Sequence, residues 1–594
     1  MAVSTSLRLW PGVVLVVVQW LFWLVLPLVM PELSAIGLIG GILCGALVFA
    51  WWLLFSRAPW LERIAVLALM VIAVLGTRSF VDRSISNGLM GRMLYVFSIP
   101  ALSLALVSAL ALTRHRSTGL RRAAVAFAVV IACAAFTLLR TGGISGDAKA
   151  DLHWRWTPTP EQRLLAKEAT APPVPAAPAI EPDPKPSPVA GEPAAAPAKP
   201  AADPVKTRPA EWPGFRGPHR DAIVTGVRLD TDWAKSPPVQ MWRRPIGPAW
   251  SSFAVQGDLF YTQEQRGEDE LVSCYRVSTG EPVWRHRDPV RFYESNAGAG
   301  PRATPAVNGG RVYALGATGI LNALDARTGA VLWSRNAAND TGAKLPGWGF
   351  AGSPLVLDDL VIVATSGRLA AFEAATGNVR WRAPVRAGGY SSPQLMTLDG
   401  VAQILLLNGD GVMSVSPVDG KMLWDHAWSG VPMLQPASTA DGDVLITSGD
   451  MMGGMGTRRI ALTHNAGTWG ATERWSSRGL KPYFNDYVVH KGYAFGFDGN
   501  ILASIDVADG TRKWKGGRYG NGQLLLLPEQ DLLLVTSEEG ELVLVKATPD
   551  QFTEVARFPA IEGKTWNHPV LIRDILLVRN GEEMAAFRLP LEQR

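Results

Sequence analysis

The sequence predicts an all-β eight-bladed propeller of four-stranded antiparallel blades, preceded by an α-helical membrane domain of about five spans. A motif that recurs through the second half of the chain predicts the propeller, because a unit repeated about every 40–50 residues indicates a propeller or a solenoid. Five apolar runs in the first 140 residues predict the spans. A Pro/Ala-rich stretch separates the two. The predicted domains are residues 1–145, a linker at 146–211 and the propeller at 212–594.

The apolar runs are each near the roughly 20 residues needed to cross a bilayer. They occupy residues 11–30, 36–55, 62–80, 93–112 and 122–139. The third run is the weakest, because its unbroken apolar core, Ile64–Gly76, is short. The distribution of arginines favours a cytoplasmic N-terminus. Five spans then place the propeller outside the cytoplasm, whereas four spans would place it inside.

The stretch between the two domains is rich in Pro and Ala with scattered charges. Residues 157–211 include the run APPVPAAPAIEPDPKPSPVAGEPAAAPAKP. Such a composition cannot bury a core and is typical of an extended, semi-rigid spacer. We therefore expect it to hold the propeller away from a membrane surface.

The repeated motif reads Ala-x-Asp-x-x-Thr-Gly-x-x-x-Trp and is complete at Ala323–Trp333. The Thr-Gly pair predicts a tight hairpin turn, since glycine accepts a positive φ. The tryptophan follows in the next strand, where its ring can pack on the neighbouring blade and its indole N–H can find a partner. The tryptophans assigned to this structural role are Trp284, Trp333, Trp381, Trp424, Trp475 and Trp514.

Counting the units gives eight blades, with seven as the alternative. The last unit ends about one strand short at the C-terminus. The segment around Val239–Arg244 precedes the first blade and ends near Trp242, so it can supply the missing strand. Such closure removes the open edge that a ring of blades would otherwise carry.

Composition excludes some function classes. The formal net charge is +5, but many arginines belong to membrane loops, so we infer no nucleic-acid binding. Cys44, Cys133 and Cys274 suggest no internal disulfide framework. The eight histidines show no metal-ligand spacing.

The motif resembles the tryptophan repeats of the pyrroloquinoline quinone (PQQ)-like propeller superfamily over about residues 212–590. The segment Trp212–Asp221 also resembles the opening of many bacterial proteins with such repeats. That superfamily contains quinoprotein alcohol and glucose dehydrogenases and also non-catalytic members. Five spans before a propeller further resemble the membrane-bound glucose dehydrogenases, which pass electrons from a sugar to ubiquinone.

The chain also departs from the dehydrogenase pattern. Its propeller has a single cysteine, so the adjacent-cysteine ring of many quinoproteins is missing from the sequence. No Cys-x-x-Cys-His haem motif occurs, and the Glu/Asn/Asp calcium set cannot be placed by motif. The propeller is also shorter than in the dehydrogenases, whose insertions build the walls of the active site.

If the resemblance extends to the cofactor, PQQ would sit on the axis, where the innermost strand of each blade begins. Asp486 would be the catalytic base beside a Ca²⁺ ion. Five polar residues at such positions would bind the cofactor, with the cationic ones pairing with its carboxylates. They are Arg302, Gln435, Lys481, Asn485 and Asn567. Alternatively, these residues only cap the strand starts. Four aromatic residues of the same loops could stack on a planar ligand: Trp250, Trp348, Tyr390 and Trp566.

Two functions follow from these observations. The favoured one is a ligand- or protein-binding scaffold propeller, anchored in the lipid of a bacterial inner membrane, that faces periplasmic partners. The alternative is a PQQ-dependent dehydrogenase that oxidises a sugar or alcohol and reduces membrane ubiquinone. The anchor favours the dehydrogenase, and the short propeller favours the scaffold.

Overall fold

The computed structural model describes residues 8–30, 33–145, 150–170, 174, 209–450 and 453–592. The chain divides into two compact units. Unit 1 comprises Met1–Thr159 and Tyr293–Gly298, and unit 2 comprises Pro160–Phe292 and Ala299–Arg594. Most of the Pro/Ala-rich stretch that the sequence predicts to be a spacer lies outside the described residues.

Unit 1 is helical, as its apolar runs predict. Five of its helices are long and apolar enough to cross a membrane. The third, at Trp60–Thr77, qualifies with a mean hydropathy of 1.9, although its predicted core is short. The helices are Trp10–Val29, Ser34–Phe55, Trp60–Thr77, Arg83–Gly91, Met93–Leu112 and Thr118–Thr137. A hairpin of Leu139–Ile144 and Ala150–Trp154 follows.

Unit 2 contains eight four-stranded antiparallel sheets, which confirms the eight-bladed propeller. In blades 1 to 7 the strands pair in chain order. Blades 1 and 2 are Ala254–Gln256, Leu259–Arg266, Asp269–Arg276 and Pro282–Asp288, then Ala306–Asn308, Arg311–Leu315, Ile320–Asp325 and Val331–Asn336. Blades 3 and 4 are Leu355–Leu357, Leu360–Thr365, Arg368–Glu373 and Val379–Arg382, then Gln394–Leu398, Val401–Asn408, Gly411–Val415 and Met422–Ala427.

The remaining blades follow the same plan. Blades 5 and 6 are Ala437–Ser438, Val444–Asp450, Gly453–Asn465 and Thr468–Ser477, then Val488–His490, Tyr493–Asp498, Ile501–Asp506 and Arg512–Arg518. Blades 7 and 8 are Gln523–Leu527, Leu532–Thr536, Glu541–Lys546 and Glu554–Pro559, then Val570–Ile572, Ile575–Arg579, Glu583–Arg588 and Val239–Pro245. Shorter elements are the strands Tyr293–Glu294 and Gly298–Ala299 and the helices Pro160–Glu168 and Ala337–Thr341.

The ring closes where the sequence predicts. Val239–Pro245 pairs antiparallel with Glu583–Arg588 and forms the outermost strand of blade 8. Blade 8 is therefore built from both ends of the propeller sequence, and its hydrogen bonds hold the first and last blades together. A closed ring leaves no broken blade at which another chain could add a strand.

The motif tryptophans join most blades to their successors. The indole N–H of Trp333 donates to the carbonyl of Ala374 in blade 3 at 3.0 Å. Beneath the ring lies Gly377 of the next turn, where an added Cβ would meet the indole at 2.7 Å and φ is +74°. Only glycine combines that left-handed conformation with so close an approach. The same indole-to-next-blade bond is made by Trp242, Trp284, Trp381, Trp475 and Trp514.

Trp424 departs from this pattern. Its indole N–H donates to Gln403 within its own blade at 2.8 Å. The next blade has no Thr-Gly turn of the usual kind but a long hairpin, Gly453–Asn465 with Thr468–Ser477. The glycine of that hairpin, Gly467, has no heavy atom within 4 Å of an added Cβ, so it does not lie against the Trp424 ring.

Candidate functional site

The residues that open the innermost strands are joined around the propeller axis in a closed ring of hydrogen bonds, the axial belt. The Ser252 amide donates to Thr304 Oγ1, the Thr304 amide to Ser353 Oγ, and the Ser353 amide to Ser392 Oγ, each at 2.9 Å. The other blade-to-blade links are Gln435–Gln394, Tyr487–Gln435, Asp486–Gln523, Gln523–Trp566, Asn567–Ser251 and Ser252–His568. These polar groups therefore bond to one another across every blade boundary.

Inside the belt lies a segment of the chain itself, residues 212–224, which we call the plug. It precedes the closing strand, and its backbone or side chains contact seven of the eight blades. The contacts run from Trp212 to Val255, Pro213 to Val307, Arg220 to Ser353 and Pro354, His219 to Gln394, Arg216 to Tyr487, Ala222 and Val224 to Leu526, and Phe215 to His568. The plug, a segment of the same chain, thus occupies the axis of the ring.

Asp486 is paired with the plug. Its carboxylate lies 2.8 Å from Arg216 Nε, and both side chains are almost fully buried, at 2% and 4% exposure. Arg216 also donates to the carbonyl of Tyr487 at 2.9 Å. Burial raises the pKa of Asp486 to about 6, and the Arg216 guanidinium partly opposes that shift. A carboxylate that is buried and held by an arginine of its own chain is poorly placed to take a proton from a substrate.

The plug brings a second cation into the axis. Arg220 donates to the carbonyls of Pro354 and Ser353 at 2.8 and 3.1 Å. Burial, with a smaller contribution from Arg216, lowers its pKa to about 9. His568 Nε2 lies 3.6 Å from Asp486, and burial together with Arg216 lowers the pKa of His568 to about 3. His568 is therefore neutral at physiological pH, and Asp486 pairs with Arg216.

Three of the predicted cofactor-binding residues have structural partners at the strand starts. Gln435 donates to Gln394 at 2.7 Å. Asn485 accepts the Tyr483 amide at 2.9 Å and so shapes the loop before blade 6. Asn567 donates to the carbonyls of Ser251 and Ala249 at 2.7 and 3.1 Å. These contacts match the alternative in which such residues cap strand starts.

The two predicted cationic ligands make other contacts. Arg302 donates to the carbonyls of Ala299 and Gly300, at 3.2 and 2.6 Å, and lies over the Phe292 ring. Lys481 pairs with Asp498 of blade 6 at 3.0 Å. Asp498 also binds Arg512 and Lys515 at 2.6 and 2.8 Å. The structure therefore does not bring Arg302 or Lys481 into contact with Asp486.

The axial residues do not fit PQQ with Ca²⁺. Several buried polar atoms in the plug and around it have no hydrogen-bond partner among the described residues and almost no surface accessible to water, including Arg220 Nε, Asp486 Oδ1 and Gln435 Oε1. A water-sized space next to these atoms would expose them, so a quinone could not contact them without displacing the plug or the strand starts. The one axial carboxylate of the predicted set is already paired with Arg216.

The aromatic candidates contact each other rather than the axis. Trp348 and Tyr390 lie with ring centroids 5.1 Å apart, and Trp250 and Trp566 lie 4.8 Å apart. Phe484 extends the second pair at 4.8 Å from Trp566. All of these side chains are half-buried, and all lie on loops that lead into innermost strands. They present aromatic surface at one end of the ring.

Sequence reasoning missed Arg216 and Arg220 as axial residues. The available signal was the run Trp212–Asp221, which places two arginines and a Gly-Pro pair just before the closing strand. Positive φ values at Arg216, Gly217 and Arg220 give this run its tight path. The sequence of this run does not predict which distant residue each arginine contacts. The pairing of Arg216 with Asp486 is therefore evident only from the fold.

Comparisons with known proteins agree with the repeat. A PQQ-repeat family described as outer membrane protein assembly factor BamB matches residues 239–412. BamB of Yersinia pestis is 23% identical over 337 residues, which cover 52% of this chain and 70% of that protein. Tetrathionate hydrolase of Acidithiobacillus ferrooxidans is 29% identical over 228 residues, which cover 35% of this chain. The chain spans only 43% of the hydrolase's length.

Solved structures similar to this chain include a BamB protein and a quinohemoprotein alcohol dehydrogenase. BamB from Moraxella catarrhalis aligns over 60% of this chain and 99% of its own, with a TM-score of 0.43 and 15% identity. The quinohemoprotein alcohol dehydrogenase of Comamonas testosteroni aligns over 66% and 82%, with a TM-score of 0.45 and 14% identity. Strand pairing shows that unit 2 is an eight-bladed propeller, and its residues 239–412 are similar to the PQQ-repeat family.

Proposed function

We propose that this PQQ-like propeller is a membrane-anchored protein-binding scaffold and not a quinone-dependent dehydrogenase. The observation that carries the proposal is the filled axis: Arg216 of the plug holds Asp486, and the axial belt uses the polar residues that a cofactor would need. Similarity to assembly factors of the BamB type supports protein partners. We further propose that the five helices anchor the chain in the bacterial inner membrane, with the propeller in the periplasm.

The end-face aromatic residues are the binding surface that this function requires. Half-buried Trp and Tyr side chains on loops are the residue types that most often dominate protein–protein affinity. Here two such groups, Trp348 with Tyr390 and Trp250 with Trp566 and Phe484, lie on loops into different blades. Because their rings pack on each other, they are already ordered and lose little conformational freedom on binding.

Cofactor binding tests the first part of the proposal. The purified full-length protein, incubated with micromolar PQQ and Ca²⁺ and then dialysed, should retain no quinone absorbance and should show no dye-linked oxidation of sugars or alcohols. Stoichiometric retention of PQQ would overturn the scaffold assignment and favour the dehydrogenase, with ubiquinone as the electron acceptor to test next.

Partner binding tests the second part. A photo-crosslinking amino acid at Trp348 or Tyr390 in living cells should give a discrete adduct with an envelope protein. The same residue at Leu332, an exposed position on the outer strand of blade 2, serves as the control. Equal adducts from the end face and from Leu332 would argue against an end-face binding site.

A further inference from the structure

A short helix, Pro160–Glu168, lies within the stretch that the sequence assigns to the linker. It belongs to the propeller unit, whose first residue is Pro160. Proline suits the first turn of a helix, and Leu164 on its inner face is buried. A nine-residue helix is marginal by itself in water, so its stability depends on what it packs against.

Two glutamates fasten this helix to blade 1. Glu161 accepts from both terminal nitrogens of Arg291, each at 2.8 Å, and from the amide of Gly267 at 2.9 Å. At the other end, Glu168 accepts from Arg285 at 2.7 Å and contacts Arg266. Paired bidentate bonds of this kind are among the strong charge-assisted contacts.

The arginines that bind the two glutamates of the helix are largely buried. Arg266 and Arg285 are 3% and 8% exposed, and Arg291 is 27% exposed. Arg266 also pairs with Glu264 at 2.8 Å. A buried guanidinium is costly without an anionic partner, so loss of Glu168 would leave Arg285 in an unfavourable environment. The site is therefore specific for an acidic helix.

The chain contacts blade 1 twice, once before and once after the Pro/Ala-rich stretch. The helix binds blade 1 through the loops at Gly267 and Arg291. After the Pro/Ala-rich stretch, the chain returns to the same blade: the Gly257 amide donates to Glu211 at 2.8 Å, and Trp212 pairs with Val255. The described segments on the two sides of the Pro/Ala-rich stretch thus both contact blade 1.

We propose that blade 1 carries a docking site for an acidic helix, that Pro160–Glu168 fills it, and that this ionic latch, not the Pro/Ala-rich stretch, fixes the point at which the chain enters the propeller unit. The Pro/Ala-rich stretch then lies in the sequence between two segments that both contact blade 1. The sequence-based expectation that it acts as a spacer would not hold.

Hydrogen exchange of the full-length protein in detergent tests the latch. The amides of residues 163–168 should be protected in the wild type. They should exchange about ten-fold faster or more in the double variant Glu161→Arg/Glu168→Arg, because an undocked helix of this length frays. Reversing the pair, as Glu161→Arg with Arg291→Glu, should restore much of the protection that Glu161→Arg alone removes.

Two further variants separate the latch from a spacer. Deletion of residues 175–205 should leave the helix amides as protected as before. Lys167→Glu, a charge reversal on the exposed side of the helix, should do the same and controls for charge alone. Unchanged exchange in the blade strands shows that each variant is folded. Full protection in Glu161→Arg/Glu168→Arg, or its loss on deleting 175–205, would overturn the proposal.

Discussion

The propeller is held together by two rings of blade-to-blade contacts that are built differently. The outer ring repeats: a tryptophan of one blade lies on the glycine turn of the next and donates to a nearby carbonyl. The inner ring repeats only in part: one amide-to-hydroxyl bond recurs from blade 1 to blade 4, whereas the links at the other blade boundaries differ from one another. The outer ring therefore follows the sequence repeat, whereas most of the inner ring does not.

The largest effect should come from breaking the inner ring at its ion pair. Arg216→Met leaves Asp486 buried without its partner, which typically costs about 3–5 kcal/mol. The loss in thermal stability should be larger at pH 8 than at pH 5, because an isolated buried carboxylate protonates more readily. Adding Asp486→Asn should recover part of the loss. If Arg216→Met melts like the wild type at pH 8, the plug does not stabilise the ring.

The outer ring should be nearly as sensitive, but with a different signature. Trp333→Ala removes a buried indole and its bond to Ala374, at a cost of about 3–4 kcal/mol. Because Trp333 lies on Gly377, Trp333→Ala and Gly377→Ala should be strongly non-additive.

Trp424 provides the matched control for that pair. Its indole bonds within blade 4, so Trp424→Ala combined with Gly377→Ala should be additive. The measurement is the melting temperature of the three single variants and the two double variants by differential scanning calorimetry. Additivity in the Trp333 pair would show that indole–glycine contact contributes little.

A third contact between blades should make stability depend on pH. Glu270 of blade 1 accepts the Ala317 amide of blade 2 at 3.1 Å. Burial raises its pKa from 4.5 to about 7. The folded state therefore binds this proton more tightly than the unfolded state, and stability falls as pH rises from about 4.5 through about 7. Glu270→Gln should gain up to about 3 kcal/mol over the wild type across that interval.

Melting curves between pH 4.5 and 8 check this expectation. The wild type and Glu270→Gln should be most alike at pH 4.5 and diverge as pH rises. A constant difference across the range would mean that Glu270 does not titrate in the folded protein.

The smallest effects are expected when a single hydroxyl group is removed, either from the axial belt or from a motif turn. Ser353→Ala removes the buried acceptor of the Thr304 amide and should cost about 1–2 kcal/mol. Thr328→Ala removes an exposed bond to Asp325 in the motif turn and should cost under about 0.5 kcal/mol. Urea denaturation of the two variants compares them directly. Equal losses would indicate that the belt is no tighter than the surface turns.

The sequence predicted the blades and their closure far better than the contacts on the propeller axis. Eight blades, four strands in each and closure by Val239–Pro245 follow from a local motif, because a Thr-Gly turn and the strands beside it are close in the chain. Trp424 was predicted to behave like the other tryptophans, but its partner is Gln403. That difference depends on the neighbouring blade, which the motif does not describe.

The candidate site was predicted only as a set of positions. Gln435 and Asn567 lie in the axial belt, yet their partners are other blades. Lys481 was predicted to pair with a carboxylate of the cofactor, but in the structure it pairs with Asp498. The helix Pro160–Glu168 was not predicted either, because a nine-residue helix beside a Pro/Ala-rich stretch gives little periodic signal.

By itself the sequence determined the architecture of this protein: apolar runs long enough for five membrane helices and a repeat whose turns, strands and tryptophans specify a closed eight-bladed ring. Only the tertiary structure decided what fills the axis. Arg216 and Tyr487 are 271 residues apart, and no local pattern links them. Periodic features depend on residues that are neighbours in the sequence, so the sequence predicts them. A contact that occurs only once forms when folding has brought its two distant partners together, so no local pattern predicts it.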